Sequence, residues 1–289
     1  NTYDRQNKPM IALPPLAAEP IFHISTFPVT NTLINSTLTM LGFVVFAVVI
    51  GVVVKKYYNK APQGILNFFE SILETLFGYF DSVTRDRKKT IQFLPLIGSL
   101  FLFILVSNWI GLLPGIGSIG RYLMHEGHVI LIPMFRPATT DLNMTLAMSL
   151  LAVITSHFVG IGVIGFFKYA NKFIKLGDLW YGLKSMNPMK ILTVVIEFFV
   201  GFLEIISEVA KVLSLSLRLF GNIFAGEVLL TVLAGILPVF LPLPFIALEL
   251  IVGIVQATVF SMLALVYLTI ATTEVTSHNT KHSEEATAH

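Results

Sequence analysis

The sequence contains no cysteine and little charge: among its 289 residues 12% are charged, whereas 55% are hydrophobic. The absence of cysteine excludes a disulfide framework and a thiolate metal site. So little charge beside so much apolar surface excludes an ordinary soluble domain. No phosphate-binding loop of the Walker type occurs, so we expect no phosphoryl chemistry in this chain. We therefore predict an all-α integral membrane protein, with no cofactor, no metal and no nucleic acid partner.

Long apolar segments predict the spans, because about 20 such residues are needed to cross the hydrocarbon core of a bilayer. Five segments meet this requirement: 33–54, 92–113, 142–167, 190–235 and 244–272. We expect the last two to form a long tilted hairpin over 190–272, turning around Pro238, Pro242 and Pro244. No internal repeat is apparent, which weighs against folds built from duplicated halves.

The segment 64–82 differs from the spans, because its apolar residues recur at helical spacing while Glu70, Glu74 and Asp81 fall between them. This pattern predicts an amphipathic helix that lies on the membrane surface. The whole of 31–276 is then one membrane domain.

The remaining segments are expected to be extended and polar: the outer N-terminal segment 1–30, the loop 115–137 and the inner tail 277–289. The sequence starts at Asn1, where a translated chain starts with Met, and no signal peptide pattern precedes the first span. We therefore expect a processed or incomplete N-terminus.

The basic residues predict the orientation, since cytoplasmic loops carry an excess of lysine and arginine. With the N-terminus outside and the C-terminus inside, thirteen basic residues fall on the inner side. Four fall on the outer side, and these are Arg5, Lys8, Arg121 and Arg136. Lys211 and Arg218 lie within the membrane. The charge distribution therefore favours a cytoplasmic C-terminus.

Arg218 lies in the middle of an apolar helix, in the motif SLSLRLFGN at 214–222. A guanidinium stays protonated in proteins, so burial does not neutralise it. An arginine at the bilayer centre costs roughly 2.5 to 3.5 kcal/mol on insertion scales. The alternative is an arginine that snorkels to the interface or pairs with a structural carboxylate. Its cost points to a function for this charge.

A polar stripe follows the same helix. At about 100° per residue, six side chains fall within about 80° of one another. They are Glu197, Glu204, Glu208, Lys211, Arg218 and Asn222. Such a stripe must face water, another helix or a partner of complementary charge. The alternative for Glu208 and Lys211 is that they pair with each other at spacing i, i+3.

Two acids are expected near the outer end of the hairpin. Glu227 lies about 180° around the helix from Arg218. If the hairpin forms, Glu249 comes level with Glu227, and Gln256 with Arg218 or Asn222. Two buried carboxyls suggest a hydrated proton path, although both acids can simply lie at the membrane interface.

The third span begins with Asp141, Asn143 and Thr145, which can extend this wet entrance. Asp141 can equally be a helix N-cap or an acid of the first turn. His157, deeper in the span, either titrates near physiological pH or is a hydrogen-bonded core residue.

Four segments resemble subunit a of the rotary F-type ATP synthase. They are SLSLRLFGNIFAGE at 214–227, VQATVFSMLALVYL at 255–268, FLPLIGSLFLFILVSNWIGLLPG at 93–115 and RPATTDLNMTL at 136–146. They occur in the family's order over nearly the whole chain. The first is the most specific, because it places an intramembrane arginine, glycine and asparagine at set spacing.

The resemblance implies a stator subunit that carries protons through two offset half-channels, with Arg218 as the essential arginine facing the ring of c subunits. Asn222, Glu227, Glu249 and Gln256 match positions of the outer half-channel or of the arginine's support. Many members of the family carry histidine where this chain has Glu249. The inner path has only candidates, which are Glu197, Glu204, Glu208 and Ser214.

The implied partners are the c-ring, the peripheral-stalk b subunits, the rest of the ATP synthase and the lipid bilayer. A bacterial inner membrane fits best, and an energy-transducing organelle membrane stays open. An alternative function is a secondary transporter or ion channel that uses Arg218 to bind an anion. A purely structural scaffold does not explain the arginine.

Overall fold

Six long helices make up most of the described chain in the computed structural model. The structure describes residues 15, 17–25, 27–57, 64–113, 120–125, 128–166, 169, 188–237 and 240–287. The helices are α1 (Asn31–Tyr57), α2 (Ile65–Thr84), α3 (Arg87–Ile110), α4 (Leu142–Ile164), α5 (Pro188–Ile236) and α6 (Pro242–Thr287). The membrane-spanning part of the protein is therefore all-α, as the composition predicts.

Five of the helices are long and apolar enough to cross a membrane, which confirms the predicted number of spans. Their spanning parts are Asn31–Val52, Arg87–Ile110, Leu142–Ile164, Phe199–Ile236 and Pro242–Thr272. The spans differ from the predicted segments by several residues, and at α3 the reason is a capping side chain. The carboxylate of Asp86 accepts from the backbone N–H of Lys88 at 3.0 Å, so α3 starts five residues earlier than its apolar run.

The segment 64–82 forms a helix, as its periodicity predicts. On α2, Leu76 and Phe80 are buried against the core, whereas Glu70 and Glu74 are exposed. The helix ends at Arg85, whose φ of 53° is left-handed, and Thr90 of α3 donates to the carboxylate of Asp81 at 3.0 Å. These contacts bind α2 to the start of α3. Its place on the membrane surface stays a prediction.

Two segments expected to be extended form small antiparallel hairpins instead of isolated lead-ins. Strands β1 (Pro20–Ile24) and β2 (Phe27–Thr30) pair just before α1, and β3 (Gly120–His125) pairs with β4 (His128–Pro133) between α3 and α4. Runs of β-branched and apolar residues, as in HVILIP, favour β-strands. The prolines in these segments had favoured the prediction of extended loops. A 3₁₀ turn at Ala138–Thr140 then leads into α4.

The polar tail also differs from the prediction, because α6 continues through it to Thr287. No glycine or proline follows Gly253 in the sequence, so no residue of the tail interrupts the helix.

The core is formed where α6 packs against α3 and α4. Fully buried residues from four helices meet there: Ile97, Ile104, Ala152, Leu215, Leu219, Ala257, Phe260, Ala264 and Leu268. Small residues on α6 let the helices approach closely, as is common in membrane helix packing. A Cβ atom built on Gly253 would lie 3.4 Å from the Cβ of Asn108 on α3. By contrast, much of α5 is exposed, which places its charged residues at the edge of the bundle.

Candidate functional site

Arg218 lies on the exposed side of α5, within its apolar spanning part. Its Nη2 donates to the hydroxyl of Ser214, one turn earlier, at 3.5 Å. A hydrogen bond of that length is weak. The neighbours Leu213 and Leu217 are 47% and 53% exposed, so apolar surface surrounds the charge. Arg218 is therefore exposed, and its long hydrogen bond to Ser214 stabilises its charge little.

Small side chains occupy the same exposed side of α5 as Arg218. They are Ser207, Ser214, Gly221 and Ala225, all exposed. A Cβ atom added at Gly221 would meet no atom within 4 Å. A helix surface without bulky side chains allows the backbone of another helix to come close. The arrangement around Arg218 can therefore accept a tightly packed partner.

The last two spans are joined by a hydrogen bond next to Arg218. The Nδ2 atom of Asn222 on α5 donates to Oε1 of Gln256 on α6 at 2.7 Å. Gln256 is 3% exposed, whereas Asn222 is exposed. The hairpin alignment that placed Gln256 level with Asn222 agrees with this contact. The amide pair thus connects the surface that carries Arg218 with the interior.

Glu227 forms an ion pair that the sequence analysis did not foresee. Arg136, in the connection before α4, donates from Nε to both carboxylate oxygens of Glu227 at 3.1 Å and from Nη2 to Oε2 at 2.9 Å. The side chains of Arg136 and Glu227 are 2% and 22% exposed. The charge count assigns Arg136 to the outer side of the membrane, and the structure buries it in the connection before α4.

Arg136 is held by contacts from several elements. Its backbone carbonyl accepts from Nδ2 of Asn35 on α1 at 2.9 Å, and its Nη1 donates to the carbonyl of Ala17 at 3.4 Å. The guanidinium carbon lies 6.0 Å from the centre of the Phe224 ring. Arg136 opens the segment RPATTDLNMTL that carries part of the family resemblance, but that position does not indicate its partner.

Glu249 lies beside the same ion pair. A Cβ atom built on Gly226 would overlap the Glu249 carboxyl group, so that group rests against the α5 backbone next to Glu227. The prediction that Glu249 comes level with Glu227 agrees with this placement. Oε1 of Glu249 is buried and has no hydrogen-bond partner among the described residues.

Buried polar atoms without a partner concentrate along the packing of α3 and α6. Among the described residues these are Ser107 Oγ, Asn108 Nδ2, Glu249 Oε1, Gln256 Nε2 and Ser261 Oγ, with Asn35 Oδ1 on α1. Nδ2 of Asn108 and Nε2 of Gln256 are amide donors, and the remaining atoms are hydroxyl, amide or carboxyl oxygens. Unsatisfied buried groups are few in native proteins and call for a specific explanation. Their position on two neighbouring helices marks a polar seam inside an apolar bundle.

The polar residues at the start of the third span have structural roles. The Asp141 carboxylate accepts from the backbone N–H of Asn143 at 2.9 Å, which confirms the N-cap alternative. It also accepts from Thr32 of α1 at 3.0 Å. Thr145 is buried and hydrogen-bonded to Ser216 of α5 at 3.1 Å, whereas the side chain of Asn143 is exposed. The structure does not bring Asn143 into contact with the two acids.

A second charged cluster lies on the other side of Arg218 along α5. Lys211 Nζ is 2.6 Å from Oε1 of Glu208, which confirms the predicted pairing. His157 of α4 lies 3.6 Å from the same carboxylate through Nε2, and its Nδ1 is 2.5 Å from the hydroxyl of Tyr169. Lys211 also lies 5.3 Å from the centre of the Tyr267 ring on α6. His157 is therefore hydrogen-bonded, as one of its two alternatives predicts.

The remaining candidates on α5 take less defined positions. Glu204 is half-buried one turn before Glu208, and Ser214 is exposed beside Arg218. The side chain of Glu197 lies outside the part of the structure that is described. The structure thus resolves two polar clusters, one toward either end of α5. Along the helix axis Glu227 lies about 13.5 Å from Arg218, and Glu208 lies about 15 Å from it on the other side.

Comparisons with known proteins agree with this architecture. Residues 36–269 match the family described as ATP synthase A chain. The chain is 31% identical to the ATP synthase subunit a of Geobacter sulfurreducens over 225 residues, which are 78% of this chain and 82% of that protein. It is 32% identical to that of Syntrophobacter fumaroxidans over 219 residues, covering 75% of this chain and 76% of the relative.

A third relative, the ATP synthase subunit a of Campylobacter jejuni, is 30% identical over 232 residues, or 80% of this chain and 87% of its own length. The matched region contains all five spans except the first few residues of α1 and the end of α6. The chain is an integral membrane protein of the ATP synthase subunit a family, and so a membrane subunit of the proton-transporting ATP synthase.

Proposed function

We propose that this chain is the stator subunit that carries protons past the rotating ring of c subunits, with Arg218 facing the ring. The observation that carries the proposal is the exposure of Arg218 on a helix that spans the membrane. A charge in this position is costly unless a partner supplies the opposite charge. The passing carboxylate of a ring subunit is such a partner, and the small residues around Arg218 leave room for its helix.

Two offset half-channels fit the two polar clusters on either side of Arg218. On the outer side the path uses Glu227, Glu249, Asn222 and Gln256, along the polar seam of α3 and α6. On the inner side it uses Glu204, Glu208, His157 and Ser214. Asn143, which is exposed, belongs to the mouth of the outer path, whereas Asp141 is the N-cap of α4. Between the two clusters, the polar side chains of α5 lie only near Arg218. This agrees with a proton that is carried from one half-channel to the other by the ring.

The charge of Arg218 has two effects in this mechanism. It stabilises the ionised carboxylate of a ring subunit by Coulomb attraction in surroundings of low dielectric constant. It also repels a proton that would otherwise run directly between the half-channels. Each proton crossing 100 mV supplies about 2.3 kcal/mol, so several protons are needed for each ATP made by the rest of the complex.

The same proposal includes the setting of the subunit. Its partners are the c-ring and the peripheral-stalk b subunits, and it performs no ATP chemistry itself. The distribution of basic residues supports an outer N-terminus and a cytoplasmic C-terminus. The three relatives named above are bacterial, which supports a bacterial inner membrane.

The test replaces Arg218 with Ala in the complete complex in sealed inverted vesicles. We expect ATP-driven acidification to be lost, while ATP hydrolysis by the soluble head survives and the passive proton leak rises or coupling breaks. Arg87→Ala is the matched control, because Arg87 is exposed at the start of α3, and it should leave acidification unchanged. Normal acidification in Arg218→Ala would overturn the proposal.

A further inference from the structure

We propose that the corner between α2 and α3 is a binding site for an anionic phospholipid of the inner leaflet, with Arg85, Lys88 and Lys89 binding the phosphate of its headgroup. This inference goes beyond the proposed function, because proton transfer uses none of these residues. The three basic residues lie within five positions of the sequence, where the span of α3 begins. Lysine and arginine clustered beside the inner end of a span are typical of binding sites for anionic lipids.

The charges of these three residues are available to a ligand. Arg85 and Lys88 are exposed, and Lys89 is partly exposed. Among the described residues, no ion pair joins any of the three to a carboxylate. The backbone holds them close together, because Arg85 ends α2 in the left-handed conformation and α3 starts two residues later. The corner therefore presents several unpaired cations in a small area.

The two acids beside the cluster are bound by other donors. The Asp86 carboxylate accepts from the backbone N–H of Lys88 at 3.0 Å, and Asp81 accepts from the hydroxyl of Thr90 at 3.0 Å. Neither carboxylate contacts a basic side chain of the corner. The segment 81–89 contains four basic and two acidic residues, so its net charge is +2. A phosphate group supplies the negative charge that the corner lacks.

Arg87 belongs to the same segment, but it is engaged within the chain. Its guanidinium carbon lies 5.2 Å from the centre of the Phe77 ring on α2, which is a cation–π distance. Consecutive residues of a helix are about 100° apart, so Lys88 lies on a different side of α3. We therefore place Arg87 outside the lipid site.

The pattern of α2 predicts that this corner lies at the depth of the lipid headgroups. Leu76 and Phe80 are buried against the core, and large apolar side chains flank them. These are Phe68, Leu73 and Tyr79, each more than half exposed. A helix with an exposed apolar surface of this kind and acids on its opposite side lies at the boundary between headgroups and acyl chains. The basic corner follows α2 directly, so we expect it at the same depth.

The surface of α3 next to Lys88 can hold the apolar part of the same lipid. Ile91, Gln92 and Pro95 are exposed and follow Lys88 by three, four and seven residues, so they lie on its side of the helix. Ile91 and Pro95 provide apolar surface, and the amide of Gln92 can donate to an ester carbonyl. A soluble phosphate would contact only the basic residues, whereas a phospholipid matches both the charges and this surface.

The experiment measures lipid binding to the purified full-length chain in a non-ionic detergent by native mass spectrometry. The probe is dimyristoyl phosphatidylglycerol, and dimyristoyl phosphatidylcholine is the comparison. We expect the parent to bind phosphatidylglycerol more tightly by roughly tenfold or more. A basic residue near an anionic membrane surface contributes about fivefold to binding. Lys88→Gln with Lys89→Gln should therefore lower the affinity for phosphatidylglycerol by roughly tenfold or more and leave that for phosphatidylcholine unchanged.

A matched control removes the same charge from the same predicted side of the membrane. It combines Lys55→Gln, at an exposed position near the end of α1, with Arg87→Gln, and it should change the affinity by less than about threefold. Lys88→Arg with Lys89→Arg keeps both charges and should retain binding. If the double glutamine variant loses its protease resistance, Arg85→Gln alone replaces it, with an expected loss of about fivefold.

The complete complex provides the second measurement, because an acidic segment of another subunit is the competing occupant. Phosphatidylglycerol should be retained by the purified parent complex and lost from the complex with Lys88→Gln and Lys89→Gln. Its absence from the parent complex would overturn the inference in favour of a protein partner.

Three results with the isolated chain would also overturn the inference. Equal affinities of the parent for the two lipids would exclude recognition of the anionic headgroup. Equal losses in the control and in the glutamine variants would show attraction by the overall charge instead of a site. Displacement of phosphatidylglycerol by glycerol 3-phosphate at similar concentrations would show a site for a soluble phosphate. None of these outcomes changes the expectation for Arg218→Ala.

Discussion

Arg136 contacts the spanning part of α5 and Arg218 lies on it, and the two arginines are stabilised in opposite ways. Arg136 is 2% exposed and its guanidinium makes three contacts with one carboxylate of the same chain. Arg218 is exposed, and its hydrogen bond to Ser214 is 3.5 Å long. The two residues lie near the same helix, since Glu227 follows Arg218 on α5. The first charge is satisfied inside the protein, whereas the second is available to a partner.

The difference shows that a buried arginine and an exposed arginine contribute in different ways. A buried pair such as Arg136 with Glu227 contributes through the penalty for breaking it, about 3 to 5 kcal/mol when one partner is removed. An exposed arginine in a spanning helix contributes little to the stability of its own chain. Its charge instead affects whatever carboxylate comes near it.

The largest difference between the two sites is expected when each arginine is replaced by glutamine. We expect Arg136→Gln to lower the heat stability of the purified subunit, because Glu227 is left unpaired, and to reduce its amount in the membrane. Arg218→Gln should leave both unchanged and abolish ATP-driven pumping. Thermal unfolding in detergent, read by protease resistance, measures the first quantity. Equal loss of stability in both variants would mean that Arg218 also has a structural partner within the chain.

The next largest effect on pumping is expected when Glu249 is displaced without a change in its charge. Gly226→Ala places a Cβ atom where the Glu249 carboxyl lies, so the side chain must move. We expect the pumping rate to fall by roughly tenfold or more, in line with the effect of misplacing a reacting group by about 1 Å. Gly162→Ala on α4 is the control, because no atom lies within 4 Å of its added Cβ. Similar pumping rates in the two variants would contradict the placement of Glu249.

The hydrogen bond between Asn222 and Gln256 should have an intermediate effect. Asn222→Ala and Gln256→Ala each remove one partner of the 2.7 Å contact, and a neutral hydrogen bond contributes about 1 kcal/mol. We expect each single variant to pump several-fold more slowly. The pumping rate of the double variant should fall by less than the product of the two single-variant factors. A double-mutant cycle on pumping rates measures this coupling. Independent effects would show that the contact is not used during turnover.

The smallest effect is expected at the inner cluster. Glu208→Gln removes the ion pair with Lys211. The two residues lie one turn apart on α5 and are partly exposed, and such pairs contribute about 0.3 to 0.5 kcal/mol to stability. Assembly should therefore be unchanged, and pumping should slow by a few-fold only if Glu208 lies on the inner path. Measuring both quantities for His157→Gln, which contacts the same carboxylate, provides the matched case. A large loss of assembly in either variant would contradict the weak pairing.

The sequence predicted the elements that depend on local pattern and length. The five spans follow from apolar runs, α2 from its periodicity, and the pairing of Glu208 with Lys211 from helical spacing. The alignment of α5 with α6 was also accessible, because a short turn between two long helices leaves few registers. Asn222 and Gln256 meet accordingly.

Contacts between distant segments were not accessible from the sequence. Arg136 and Glu227 are separated by 91 positions, and their pairing depends on how the connection before α4 folds back between the helices. Neither helical period nor charge counting specifies that path. The choice between a capping and a channel role for Asp141 likewise required the position of the Asn143 backbone N–H.

The most direct test of the account is whether the exposed side of α5 next to Arg218 contacts the ring. Since the chain has no cysteine, one introduced cysteine gives a single labelling site for a photoreactive maleimide within this subunit of the complete complex. The test position is Leu217, which lies beside Arg218 and is 53% exposed; the control position is Phe158 on α4, which is 69% exposed. Each is replaced by cysteine in a separate variant. The account predicts cross-links to the c subunit from position 217 and none from position 158. Cross-links from 158 with none from 217 would contradict it.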